Sequence, residues 1–296
     1  MAAVKSRSGR RSVNLEDRRG AGSGTRGIRI GSGRGVRGLR SGGLGLGGIL
    51  LLVVLSLVFK QDFLGLLDGG SPGMLSPDNA VAPIVDPAEE ALVGLVSTVL
   101  DDSQAFWRAQ FATQQDQYQD AKLVLFRDAT GTACGYGQSA SGPFYCPPDR
   151  SVYIDLAFFQ ELAERFGAPG DFAQAYVLAH EIGHHVQNLT GISERVQRAR
   201  QSRAANANEL SIRLELQADC YAGVWAHSAA QRGLLDPGDV QEGLAAAAAV
   251  GDDRLQRAST GQVNPESWTH GSAAQRSEWF QRGLQGSDPA ACDTFR

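Results

Sequence analysis

The chain has 296 residues, 42% hydrophobic and 20% charged, with 28 Lys and Arg against 32 Asp and Glu and a net charge of −4. That total hides two opposed parts: residues 1–43 carry eleven Lys and Arg against Glu16 and Asp17, a net +9, and the remainder carries −13. The basic head has no aromatic residue for base stacking, which argues against a nucleic-acid partner, and the acidic remainder is long enough for one sizeable core.

In chain order, the Gly/Arg-rich residues 1–43 read as a disordered cytoplasmic head. Leu44 to Phe59 is a 16-residue uncharged run, 18 with Gly42 and Gly43, just long enough to cross a bilayer core. No matching apolar partner segment favours a buried soluble helix instead. By the positive-inside rule the head stays in the cytoplasm and the bulk of the chain is exported. The expectation is a single-pass protein of the inner or plasma membrane, with a transmembrane helix at 44–60, a Gly/Pro/Ser-rich stalk at 61–85 and an extracytoplasmic domain at 86–296. A cleaved signal peptide is the rival reading. The long head and the lack of an Ala-x-Ala site after Phe59 favour an uncleaved anchor, and Arg10-Arg11 and Arg18-Arg19 lie too far upstream for a twin-arginine signal.

Asp86-Pro87 opens a helix running to about Gln114, with Ala91, Leu92, Leu95, Val96 and Leu100 on one side. Lys122 to Phe126 and stretches around Cys134, Phe144 and Val152 read as strands between Asp/Gly/Pro turns. Asp155 caps a short helix ending near Gly167. A helix from Gly170-Asp171 to a Thr190-Gly191 stop follows, then helices over about Asn208–Arg232, Pro237–Leu255 and Ser272–Leu284. A small antiparallel sheet followed by helices is an α+β domain.

His180-Glu181-Ile-Gly-His184 carries the chemistry. Residues four apart sit one above the other on a helix, so the two imidazoles can bind one metal, and Glu181 lies beside them about 100° round the axis. Its natural role is to hold the water at the metal. A catalytic zinc needs a third protein ligand. His185 points elsewhere on its helix, whereas Glu215 and Asp219 share a face of the next long helix, among Leu214, Leu216, Ala218 and Tyr221. Such a pair is often just a solvated face, but carboxylates in so apolar a setting need a positive partner. Glu215 can be the ligand, and Asp219 can accept the free ring N–H of a liganding histidine.

Cys134, Cys146, Cys220 and Cys292 can form two bridges in three ways. Cys134 and Cys146 flank a hairpin-like segment that a disulfide could close. This would leave Cys220 and Cys292 to pin the C-terminal tail to the Glu215 helix. Thiolate ligation of zinc is the alternative, but no C-x-x-C spacing is present.

His180-Glu181-x-x-His184 followed by Glu215-x-x-x-Asp219 resembles the gluzincin pattern. The words Thr132-Ala-Cys134-Gly, Gly142-Pro-Phe-Tyr-Cys146-Pro, Tyr153-Ile-Asp155, Ala179-His-Glu-Ile-Gly-His-His-Val-Gln187 and Glu215-Leu-Gln-Ala-Asp-Cys220-Tyr-Ala-Gly-Val-Trp225 narrow the likeness. They are similar to those of bacterial neutral zinc metallopeptidases of the YpfJ type, and the likeness runs from the Arg-rich N-terminus to the final Cys-Asp-Thr-Phe. It implies a zincin-like metallopeptidase domain, one zinc ion and a membrane anchor, and it names no substrate. Thr269-His270-Gly-Ser with Gln275-Arg276 also resembles an element downstream in another gluzincin group, which makes His270 a candidate donor to the oxyanion. A local helix-capping role for His270 is the equal alternative. Gly142, Phe144 and Tyr145 resemble the strand that zincins offer to an extended substrate. Core packing would equally explain those aromatics.

The function expected is peptide-bond hydrolysis, by an endopeptidase rather than an exopeptidase, on a peptide or unfolded protein. Zinc is held by His180, His184 and Glu215, and Glu181 is the general base. Two other readings stay open: a zinc-stabilised envelope binding or scaffold protein without turnover, and a hydrolase of a non-peptide amide such as a cell-wall crosslink. The sequence sets no oligomeric state.

Overall fold

The computed structural model describes residues 11–20, 86–201 and 206–296. The run expected to span a membrane at 44–60 and the stalk at 61–85 lie outside these residues. Among the described residues no helix is long and apolar enough to cross a membrane.

The main sheet has four strands: β1 (Leu15–Asp17), β2 (Lys122–Phe126), β5 (Phe144–Cys146) and β6 (Ser151–Asp155), in the order β1-β2-β6-β5. β1 and β6 both run parallel to β2, and only β5 is antiparallel to its neighbour β6. The sheet is therefore mixed rather than antiparallel. The excursion between β2 and β6 is long enough to bring the chain back in the same direction, as a parallel pair requires. It holds a separate antiparallel hairpin of β3 (Ala129–Thr132) and β4 (Gly135–Gln138), followed by β5. A second departure concerns the head: residues 11–20, expected to be disordered, contribute β1, and Leu15 packs against the main core.

Strand periodicity divides β2 and β6 between two cores. Leu123, Leu125, Val152 and Ile154 face the helices, whereas Val124, Phe126 and Tyr153 turn to the other side with Cys146 and Phe144. On the helical side lie α1 (Pro87–Thr113), α2 (Ala157–Glu164), α3 (Asp171–Leu189), α4 (Ile192–Arg200), α5 (Ala207–Gln231), α6 (Asp239–Ala249), α7 (Asp252–Thr260) and α8 (Ala273–Leu284). Asp86 caps α1 by accepting from Ala88 N, with Pro87 as its first residue. Val93, Val96, Leu100 and Trp107 recur at helical spacing and are almost fully buried, each contributing roughly 1.5–3 kcal/mol of apolar burial. α3 is central and packs on α1, α5 and α6.

Two helix boundaries differ from those expected. α4 was not anticipated, because its only buried residue is Val196 and it has no apolar stripe to read. The helix expected over Pro237–Leu255 is two, α6 and α7, parted at Gly251. A Cβ there would lie 2.3 Å from Ala273 N, so α8 starts against a backbone that only glycine provides. α8 itself opens with a capping box between Ser272 and Gln275.

The cysteines pair as Cys134–Cys146 and Cys220–Cys292. The first bridge ties the loop at the tip of the β3–β4 hairpin to β5. The second holds the C-terminal turn against α5.

Candidate metal centre and active site

α3 brings His180 and His184 to the floor of a cavity of about 1160 Å³. α5 crosses α3 at Gly183, where an added Cβ would meet Ala218 Cα and O at 3.0 Å. That close approach carries Glu215, one turn before Ala218, up to the histidines. His180 Nε2 lies 3.2 Å from Glu215 Oε2 and His184 Nε2 lies 3.4 Å from Glu215 Oε1. One ligand atom from each residue falls within 4.8 Å of the others.

The free ring nitrogens are committed elsewhere. His180 Nδ1–H donates to Asp219 Oδ1 at 2.8 Å, and His184 Nδ1–H donates to Gln187 Oε1 at 2.8 Å. The amide of Gln187 is fixed in turn, because its Nε2 donates to Leu214 O at 2.7 Å and to Gln217 Oε1 at 3.1 Å. Both imidazoles therefore present Nε2 lone pairs to the space beside Glu215. Four ligands held 2.0–2.1 Å from a tetrahedral zinc stand about 3.3 Å from one another. The spacings found here are of that size, and longer than a charge-assisted hydrogen bond. Two imidazoles and a carboxylate fit zinc.

Asp219 is fully buried and heavily engaged. Besides the His180 proton it accepts from Tyr176 O–H and, as a two-pronged pair, from Arg276 Nε at 2.8 Å and Nη2 at 2.9 Å. Burial alone would raise its pKa, but Arg276 and then His180 hold it below the usual carboxylate range. Burial would likewise lower His180, yet Asp219 and Glu215 lift it to about 9. Glu215 is held well below its ordinary value against its own burial, chiefly by His184 and His180. A proton and a metal ion thus compete for this set of donors.

Glu181 is 7% exposed, lines the cavity, and makes no side-chain hydrogen bond to the described residues. Burial raises its pKa, opposed by the two histidines. Its carboxylate is available to a water rather than tied to the protein. His270 also lines the cavity and is half-exposed. Its Nδ1 sits 3.0 Å from Asp252 Oδ1, and the other oxygen of Asp252 accepts from the backbone N–H of Thr269, His270 and Gly271. The hydrogen bond to Asp252 raises the His270 pKa against desolvation. Asp252, at the start of α7, thus fixes both the loop and the ring.

Gly142, Phe144 and Tyr145 line the same cavity, with β5 at the end of its sheet, its outer edge unpaired among the described strands. Tyr145 OH lies 2.9 Å from His185 Nδ1 and accepts from Asn188 Nδ2 at 2.9 Å, which pins β5 to α3. His185 Nε2 donates to Gln119 O at 2.6 Å, so its Nδ1 is the acceptor for the tyrosine proton, and burial depresses its pKa to about 4. A second carboxylate group, Asp171, Asp239 and Glu242, also clusters. There Asp239 accepts from Asp236 N and Glu242 from Phe172 N, as capping groups do. The cysteines lie in neither group, and both bridges are closed.

Several of these partners were not singled out from the sequence. Tyr176 is one turn before His180 and Gln187 three residues after His184, so helical spacing alone points to both. Asp252, and Arg276 as a partner of Asp219, arrive from distant elements and carry no such signal.

The chain resembles known proteins along nearly its whole length. The chain is 46% identical over 293 residues to the "Uncharacterized protein YpfJ" of Escherichia coli (strain K12), covering 97% of this chain and 96% of the relative. It is 51% identical over 189 residues to the "Uncharacterized protein Rv2575" of Mycobacterium tuberculosis (strain ATCC 25618 / H37Rv), covering 60% of this chain and 63% of that protein. No solved structure matches it. The profile of the family described as "Putative neutral zinc metallopeptidase" matches residues 4–295, and the chain belongs to that family.

Proposed function

We propose that the protein is a zinc-dependent endopeptidase acting on peptides or unfolded protein segments outside the cytoplasm. The observation that carries this is the convergence of His180 Nε2, His184 Nε2 and Glu215 beside an uncommitted, buried Glu181 in a cavity walled by an edge strand. When bound, zinc would supply Lewis acidity, lowering the pKa of a coordinated water and polarising the scissile carbonyl. Glu181 takes the proton of the attacking water and returns it to the leaving amine, a role suited to a carboxylate whose pKa burial has raised. His270, whose pKa the hydrogen bond to Asp252 raises, donates in its protonated form to the developing oxyanion. Asp219, Tyr176, Arg276 and Gln187 fix the imidazole orientations, which is how outer-shell partners tune a metal site. An extended substrate adds to the outer edge of β5 by main-chain hydrogen bonds, a geometry that needs no free terminus and so favours an endopeptidase. Two closed disulfides support an oxidising compartment.

The full chain, stripped with a chelator and then given zinc, should cleave an unfolded protein only after the addition and should leave cell-wall material intact. Release of cell-wall fragments would favour the non-peptide amide reading. Zinc uptake with neither product would favour a binding protein.

A further inference from the structure

Residues 11–20 belong to the domain formed by residues 86–296, although the chain between them contains the apolar run Leu44 to Phe59. β1 is integrated into the sheet rather than merely adjacent to it. Leu123 N donates to Asn14 O at 2.9 Å at one end of the strand, and Arg18 N donates to Leu125 O at 2.7 Å at the other. Side chains lock the same register. Arg19, 9% exposed, donates to Asp17, to Glu89 at 3.0 Å and to Glu90 at 2.8 Å. Arg11 reaches Glu90 at 2.7 Å, Ser12 Oγ donates to Asp101, and Arg18 donates to Thr130 Oγ1 and Gly131 O.

Groups hydrogen-bonded at about 3 Å share one compartment, whereas the hydrocarbon core of a bilayer is about 30 Å thick and admits no open strand edge. We infer that segment 11–20 and the domain lie on the same side of any membrane. The chain between residues 20 and 86 therefore crosses an even number of times, zero included. A single crossing at Leu44 to Phe59, with the head in the cytoplasm and the domain outside, would tear β1 from β2. This inference departs from the single-pass topology expected from the charge pattern. Its premise also weakens, because Arg11, Arg18 and Arg19 of the basic head are engaged by Glu16, Asp17, Glu89 and Glu90. The edge of β2 is covered by the chain's own N-terminal segment.

Two single-cysteine additions to the full chain test this, Val13→Cys and Gln281→Cys, at positions exposed on β1's segment and on α8. Both are treated with a membrane-impermeant maleimide on intact spheroplasts and after lysis. The two positions should label alike, and on intact spheroplasts if the domain is exported. Labelling of one and protection of the other would overturn the inference. Labelling of both only after lysis would support it while overturning the extracytoplasmic location. Docking is read separately by Arg19→Glu, which should lower Tm by several degrees, with partial recovery when Glu90→Arg is added. An unchanged Tm in Arg19→Glu would show that the segment is not held.

Discussion

Replacing Arg276 by Met removes a cation that is 4% exposed and lies against a fully buried carboxylate. The methionine fills most of the volume, so the cavity term is small, and the dominant effect is electrostatic. Asp219 keeps the His180 and Tyr176 protons but loses the two-pronged partner that contributes most to keeping it ionised. Breaking one side of a buried pair costs about 3–5 kcal/mol. For a domain of this size that corresponds to a fall in Tm of about 6–20 °C. The assay is thermal or urea unfolding of the chelated protein, with Arg276→Met/Asp219→Leu as the control in which no orphan charge remains and part of the loss returns. The pH dependence has a definite sign. In the parent the folded pKa of Asp219 is depressed, so its contribution is present above the unfolded value and is lost as pH falls through the folded one. In Arg276→Met the orphaned carboxylate is penalised at pH 7 and relieved on protonation, so the gap between variant and parent narrows toward pH 4. A Tm within about 2 °C of the parent at pH 7, or a gap that widens toward pH 4, would refute this account of the buried pair.

Zinc binding at pH 7–8 should release protons, because His180 is held up to about 9 by Asp219 and Glu215; calorimetry in two buffers of different ionisation enthalpy reads this, and zero release would contradict it. Gly183→Ala places a methyl against the backbone of Ala218, so it should cost about 1–3 kcal/mol and weaken zinc retention by displacing Glu215; unaltered retention would mean the helix crossing does not set the ligand. Asp252→Asn removes the group that raises His270, so the alkaline limb of kcat/KM should move to lower pH with zinc content unchanged, and a stationary limb would remove His270 from turnover. Loss of the Cys220–Cys292 bridge, which spans 72 residues, should destabilise the protein by up to about 4.4 kcal/mol on the loop-entropy estimate, measured by denaturant unfolding of Cys220→Ala/Cys292→Ala; no change would place that closure outside the stability of the domain.

The candidate metal site was legible because helical geometry is local. Four-residue spacing fixed His180 with His184 and Glu215 with Asp219 on single faces, and the apolar residues around Glu215 showed that its carboxylate faced inward. The bounds of α1, α3 and α5 were readable for the same reason, from caps, stripes and stops. Strand direction was not, because the sequence of β2 and β6 is compatible with either sense, and only the length of the excursion between them decides. β1 was hidden more deeply. Leu15-Glu16-Asp17 is three residues long, with two of its side chains exposed, and its neighbours Arg11, Arg18 and Arg19 look like a solvated basic tail until Glu89 and Glu90 stand opposite them. Asp252 and the Arg276–Asp219 pair have the same character: their meaning lies in partners on other elements, 17 to 19 residues away for Asp252 and 57 for the pair.

The central claim is that Glu181 moves the proton in a reaction that zinc makes possible. Its most direct test is single-turnover cleavage of an unfolded protein by the parent and by Glu181→Gln, at equal zinc content determined on the same samples. Retained zinc with the rate reduced at least about 100-fold is the predicted result, the scale of a lost general base. Equal rates at equal zinc would contradict it.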